Sequence, residues 1–350
     1  MRATGSLAPN KRDTIETIVF ADWAERDMRL GLLSLLLFGL ALASLLVGPV
    51  SLGWAEVMSV FSDRGDDRAA LILFELRLPR AVLAMMTGAA LACGGAVMQS
   101  LFRNPLAEPG LVGVSAGAAL GAALMLVFGL TAYWWLGIAG SVGALCATWL
   151  AWSLARRWAN SAGLLIAGIA INAMAFSLIG LLVSMASDQQ IRSVAFWSLG
   201  SMTRVPLTAT LILLPWVLAC LLWIYRHWPA LDALLLGERE ALQVGVPVTR
   251  LRFALVAAMA LMVGPLVALT GAISFIGLLV PQLLRSWVGS THQILLPTAA
   301  LVGASVVLAA DMLCRVVVAP AELPIGVIIS LAGAPLFFWL LRQGSSQGLT

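Results

Sequence analysis

The chain has 350 residues, 61% of them hydrophobic and only 11% charged, with a formal net charge of +4. Its mean hydropathy of +0.98 lies outside the range of soluble domains, so a water-soluble globular protein is excluded. Runs of roughly 20 apolar residues, each about 30 Å long as a helix, recur along the sequence and identify an all-α polytopic membrane protein, because lipid leaves no unpaired backbone amide a partner.

The first 30 residues carry Arg2, Lys11, Arg12, Arg26 and Arg29 against Asp13, Glu16, Asp22, Glu25 and Asp27, a pattern that excludes a cleavable signal peptide. Ile15, Ile18, Val19 and Trp23 recur at helical spacing. Residues 1–29 are therefore expected to form a cytoplasmic N-terminal segment, either a short surface helix or a disordered tail.

A membrane domain over residues 30–342 follows, with a short C-terminal tail at 343–350. Ten spans are expected, at about 30–49, 80–101, 109–129, 134–155, 162–185, 207–225, 249–271, 273–288, 294–318 and 324–341. With the N-terminus cytoplasmic, 14 of the 21 basic residues fall inside and seven outside, a bias that fits the positive-inside rule and puts both termini in the cytoplasm. The seven outside arginines are Arg64, Arg68, Arg77, Arg80, Arg192, Arg204 and Arg315. Gly113, Gly117 and Gly121 stand four apart, as Ala84 and Gly88 do, a spacing that lets helices approach closely in lipid.

A weak internal echo joins LRLPRAVLAMMTGAAL (76–91) to TRLRFALVAAMALMVG (249–264). It links the second span to the seventh, so two true copies would run in opposite directions, as in inverted-repeat transporters. Shared Ala/Leu-rich composition produces similar strings without ancestry, and the echo alone does not separate the two origins.

Catalytic chemistry is not assembled. His227 and His292 lie at expected cytoplasmic edges and read as interfacial polar residues. Cys93, Cys146, Cys220 and Cys314 fall in separate spans without a CxxC pair and read as small core residues. The single lysine, Lys11, follows Asn10 rather than a glycine, so no phosphate-binding loop is present and the chain is not an ATPase. Asp311 is the principal charge inside a span and stands one turn before Arg315, an arrangement that reads as an ion pair rather than a proton path. Residues 231–247, LDALLLGEREALQVGVP, combine an apolar side with Glu238, Arg239 and Glu240. Two short helices joined near Gly237 are expected there, docked on a partner or lying on lipid headgroups.

Six strings in order then resemble one family: LRLPR (76–80), GAALACGGAVMQ (88–99), RNPLAEPGLVGVSAGA (103–118), LGEREALQVGV (236–246), GAISFIGLLVP (271–281) and LPIGVIISLAGAPLFFWLL (323–341). The chain resembles the FecCD-type permease subunits of ABC importers for iron siderophores, haem and cobalamin. The resemblance implies a homodimer of ten-span subunits in the bacterial inner membrane, two cytoplasmic ATPase subunits and a periplasmic substrate-binding protein. It implies no cofactor in this chain, ATP and Mg belonging to the ATPase.

Carried over by position, the resemblance makes Arg77, Arg80 and Arg315 the contacts for acidic residues of the binding protein. Asn104 and Leu106, with Ser161 and Ala162, match the cytoplasmic gate. The ATPase coupling surface falls on Leu234, Leu236, Gly237, Glu238, Arg239, Ala241, Leu242, Gly245 and Val246. The chain departs from the family where Val280 and Pro281 are followed by Gln282 instead of histidine. FWSLGSM (196–202) and the 103–118 string look most like haem permeases, with cobalamin and ferric-siderophore permeases as the alternatives. A proton-coupled secondary carrier is the competing class. It predicts uptake by this chain alone that depends on Asp311.

Overall fold

A computed structural model describes residues 11–50, 52–60, 67–155, 161–203, 205–319 and 321–347, and every regular element among them is helical. In chain order these are α1 (Lys11–Leu46), α2 (Trp54–Ser59), α3 (Asp67–Leu71), a π-helical turn (Ile72–Arg77), α4 (Leu78–Phe102), a 3-10 turn (Pro109–Val112), α5 (Val114–Val127), α6 (Tyr133–Ala155), α7 (Ser161–Ser184), α8 (Asp188–Ser198), α9 (Leu207–Arg226), α10 (Trp228–Leu236), α11 (Glu238–Gln243), α12 (Val248–Thr270), α13 (Ile276–Val288), α14 (His292–Val316) and α15 (Ile325–Gln347).

Each expected span coincides with one helix. Seven helices are long and apolar enough to cross a bilayer, whereas Val114–Val127, Ile276–Val288 and Ile325–Leu340 are shorter apolar segments. The shortening has local causes. Before α5, Pro109, Gly110 and Gly113 (φ 91°) hold the backbone out of the α conformation, and before α13 the chain passes through Gly271 (φ 78°) and Phe275 (φ 69°). The 14 residues of α5 reach about 21 Å, short of the roughly 30 Å hydrocarbon core.

The N-terminal segment differs from both sequence expectations. Its backbone from Lys11 is helical and runs unbroken into the first long apolar helix. No proline or glycine separates Asp13 from Leu30, so nothing in that stretch breaks the helix.

Helices α4 and α12 form the core. Nearly every side chain from Pro79 to Phe102 is buried, and α12 is buried from Met259 through Thr270 apart from Leu261. A helix apolar all round belongs in such a position. Close approach is bought with glycine: a Cβ on Gly95 would stand 1.7 Å from the carbonyl oxygen of Gly277, and one on Gly117 would stand 2.3 Å from that of Gly143. The expected glycine stripe on α5 is therefore its contact face with α6.

The two echoing helices run antiparallel. The Arg80 end of α4 shares a cavity lining with Leu269 near the end of α12, while Arg252 near the start of α12 pairs with Glu238. The halves also exchange partners, since Gly88 of α4 meets Gly303 of α14 and Gly264 of α12 meets Gly140 of α6. In each case the second expected span of one half packs on the fourth of the other.

All four cysteines are free. Cys93 and Cys314 are buried as core residues, whereas Cys146 is exposed on α6 and Cys220 is half-buried on α9, which corrects the expectation for those two.

Candidate functional site: a loop and a helical elbow at one end of the bundle

Helix α4 ends in a turn built by its own sequence. Arg103 adopts the left-handed conformation (φ 47°), and the Arg103 and Asn104 amides donate back to the carbonyls of Ser100 (3.3 Å) and Gln99 (3.1 Å), a Schellman termination. The Asn104 side-chain oxygen then accepts the Leu106 amide at 2.9 Å, and its main-chain oxygen accepts the Ala107 amide at 3.0 Å. Pro105 fixes φ within this turn. Ala107 and Pro109 point inward, while Leu106 stands at the tip, 37% exposed. Burial pushes the Glu108 carboxyl above the usual carboxylate range.

The loop is tied to α7, whose Asn172 side chain donates to the Gly110 carbonyl at 2.9 Å. Gly168 of α7 abuts the Leu111 carbonyl so closely that a Cβ would come within 2.0 Å of it. Ser161 and Ala162 open the first turn of this same helix, directly after residues 156–160, which lie outside the described residues; their side chains lie outside them too.

Helices α10 and α11 make the expected elbow. Gly237 joins them at φ 140° and ψ 158°, a region open in practice to glycine alone, where a Cβ would collide with the Glu240 carboxylate. Leu234 and Ala241 are buried and anchor the elbow to the bundle. Glu238 pairs with Arg252 at 2.5 Å. Leu236 (78% exposed), Leu242 and Val244 face outward with Arg239 and Gly245, while Val246 is half-buried. The elbow therefore presents an apolar surface without a partner among the described residues, beside a tethered charge pair.

The loop and the elbow meet through residues that sequence reasoning did not single out as a group. His292, the first residue of α14, is fully buried rather than interfacial, because its ring bridges two elements. Nδ1 lies 2.5 Å from Asp232 Oδ1 of α10, and Nε2 lies 2.5 Å from Ser100 Oγ of α4. Asp232 and His292 are 60 residues apart, and no local periodicity marks such a pair.

At the opposite end of the bundle, the three arginines expected to meet the binding protein are held by acceptors of this chain. Arg77, Arg80 and Arg315 are 5%, 8% and 2% exposed, and their guanidiniums are bound internally. Arg80 donates to Asp311 at 2.7 Å and to both oxygens of Glu322, at 3.0 and 2.8 Å. Arg315 pairs with Asp311 at 3.0 Å and donates to the Ser44 and Val47 carbonyls. Arg77 donates to the carbonyls of Leu45 and Leu46, at 2.6 and 2.8 Å, and to that of Val50. The last carbonyls of α1 have no intrahelical donors, and two arginines supply them while matching the negative end of the helix dipole. In this conformation an approaching carboxylate does not reach these groups, and Glu322 is the more accessible charge of the cluster.

Asp311 is an ion-paired structural residue here, as its spacing to Arg315 suggests, with Arg80 as a second partner. FWSLGSM also belongs to this end. Trp197 Nε1 donates to the Ala268 carbonyl at 2.7 Å, and a cavity of about 200 Å³ opens between Trp197, Ser201, Met202, Arg80, Asp311 and Glu322. Among the described residues, no three His, Cys, Asp or Glu side chains are placed to hold a metal ion.

Residues 35–343 match the FecCD transport family. The chain is 40% identical over 331 residues to the hemin transport system permease protein HmuU of Yersinia pestis, covering 91% of this chain and 97% of that one. It is 42% identical over 292 residues to the vitamin B12 import system permease protein BtuC of Escherichia coli O139:H28, covering 83% and 88%. A solved structure described as an inward-facing conformation of a metal-chelate type ABC transporter superposes with a TM-score of 0.81 at 31% identity, covering 90% of this chain and 98% of that one.

Proposed function

The chain belongs to the FecCD transport family and is a membrane-spanning permease subunit of an ABC importer, not an enzyme, and on that premise we propose that its cargo is haem. One observation carries the choice: the similarity to the hemin permease extends over 331 residues, against 292 to 313 for the vitamin B12 permeases, at nearly equal identity. Cobalamin is the second reading, favoured by the slightly higher identity to that relative.

As a permease of this family the chain works with a separate ATPase subunit and a substrate-binding protein. In the arrangement proposed, two copies cross the inner membrane ten times each, with both termini in the cytoplasm, and stand on two ATPase subunits. Exposed apolar side chains on α7 (Ile166, Ile169, Phe176, Leu181) and α15 (Leu331, Phe338, Trp339) give those helices surface for lipid or a second copy. Leu236, Leu242 and Val244 fit a cleft on the ATPase, with Gly237 setting the elbow angle and the Glu238–Arg252 pair fastening it to α12. ATP-driven closure of the ATPase pair moves the elbow, and the loop at Asn104 and Leu106 opens or closes on the membrane path. Cargo crosses by apolar contact, its iron remaining with ligands outside this chain.

The test is reconstitution of the chain with its ATPase and binding protein in liposomes, with haem, cobalamin and a ferric siderophore compared side by side. ATP-dependent uptake of haem above the other two is expected, with loss of uptake on Gly237→Val. Preference for cobalamin would move the cargo to the second reading. Uptake without ATPase, driven by a pH gradient and abolished by Asp311→Asn, would replace the reading with a secondary carrier.

A further inference from the structure

We infer that Asp232, His292 and Ser100 act as a positioning relay that holds the loop after α4 in register with the α10–α11 elbow; the inference rests on the reading of that elbow as the ATPase contact. The chain of contacts is continuous. Asp232 Oδ1 accepts from both the His292 amide (2.8 Å) and His292 Nδ1 (2.5 Å), so one carboxylate oxygen of α10 fixes both the start of α14 and the angle of its imidazole. Nε2 then meets Ser100 Oγ at 2.5 Å. The Ser100 carbonyl accepts the Arg103 amide at 3.3 Å, and the adjacent Gln99 carbonyl accepts the Asn104 amide. Three side chains and one peptide unit thus connect the elbow to the turn that carries Leu106.

The Ser100 hydroxyl lies between two groups, His292 Nε2 at 2.5 Å and the Ala96 carbonyl, to which it donates at 3.0 Å. Arg285 of α13 lies 3.4 Å from the same oxygen, and Gln99, which Arg285 also approaches, donates to the Leu278 carbonyl at 3.1 Å. Helices α4, α13 and α14 therefore meet at Ser100, with α10 one contact further on through His292.

The arrangement resembles a hydrolytic triad only in composition. Ser100 is 1% exposed and His292 fully buried, and no cavity described here is lined by the hydroxyl, so no substrate bond reaches it. The fully buried imidazole bridges a part-exposed carboxylate on one side and a buried hydroxyl on the other, and solvent does not reach the ring to replace either partner. When α10 shifts, the end of α4 follows or the contacts break.

The assay is the full transporter in liposomes with haem-loaded binding protein, reading haem taken up per ATP hydrolysed and the stimulation of ATP hydrolysis by the binding protein. Ser100→Ala and Asp232→Asn are each expected to lower both readouts by about fivefold or more. The double variant should lose no more than the worse single one, because the residues act as a unit. Ser100→Thr, which keeps the hydroxyl, should restore most of the coupling; a purely structural contact would show up in melting temperature without moving the uptake ratio. Unchanged readouts in Ser100→Ala, or additive losses in the double variant, overturn the relay. If Asp232→Asn fails to assemble with the ATPase, Ser100→Ala against Ser100→Thr decides on the same ratio. Failure of the unaltered chain to show any ATP-coupled uptake or stimulation would instead remove the transport reading on which the relay rests.

Discussion

Asp311 lies 2.7 Å from Arg80 and 3.0 Å from Arg315, with Glu322 on the far side of Arg80. Removing the central carboxylate leaves two buried arginines side by side, with Glu322 still paired to Arg80 alone. Asp311→Ala should therefore lower stability by about 3–5 kcal/mol, read as a drop in the melting temperature of the detergent-solubilised complex, with the surviving fraction still hydrolysing ATP. At this scale the sequence was informative in part. The i, i+4 step made the Asp311–Arg315 pair legible, and six family strings located the loop and the elbow. Arg80 as a partner of Asp311 was not legible, since 231 residues separate them. The burial of the three arginines was hidden for a related reason, because their acceptors are mostly main-chain carbonyls, which every sequence contains.

Among the elements, the elbow was the most readable, because Gly237 interrupts a run that is apolar on one side and charged on the other. The lengths of α5 and α13 were less so. Hydropathy marks how far an apolar stretch extends, whereas Gly113 and Phe275 decide where its helical part begins. The glycines also set a sharp test. Gly95→Ala places a methyl group against the Gly277 carbonyl, backbone against backbone, and neither helix can yield by moving a side chain. Loss of assembled transporter is the expected outcome, measured by gel filtration. Gly39→Ala, on a part of α1 with nothing within 4 Å of the new methyl, should assemble normally and add up to about 1 kcal/mol of helix propensity.

Across the whole molecule, the antiparallel α4 and α12 and the exchanged glycine contacts give the faint sequence echo a three-dimensional counterpart. In the mechanism proposed, a push at the elbow rotates one half against the other. Leu106 stands at the tip of the loop that such a rotation would carry. Leu106→Ala should leave the complex intact while raising cargo leak or ATP hydrolysis unaccompanied by uptake. Parallel measurement of both rates in liposomes checks this, and wild-type values for each would reduce the loop to a connection. The expected homodimer rests on family resemblance alone, since exposed apolar surface suits lipid and a second copy alike.

The arginine clamp on the end of α1 has a consequence for how this sequence can vary. Arg77 and Arg315 take the main-chain oxygens of Ser44, Leu45, Leu46, Val47 and Val50, and only the Ser44 hydroxyl contributes a side chain. The clamp reads where a helix stops, not which residues compose it. Substitutions at Leu45, Leu46, Val47 and Val50 leave the clamp's acceptors in place so long as the helix ends where it does, with Leu45 and Leu46 constrained only by their packing on Leu52, Val57, Ala69 and Leu73, whereas inserting or deleting one residue there moves every acceptor at once.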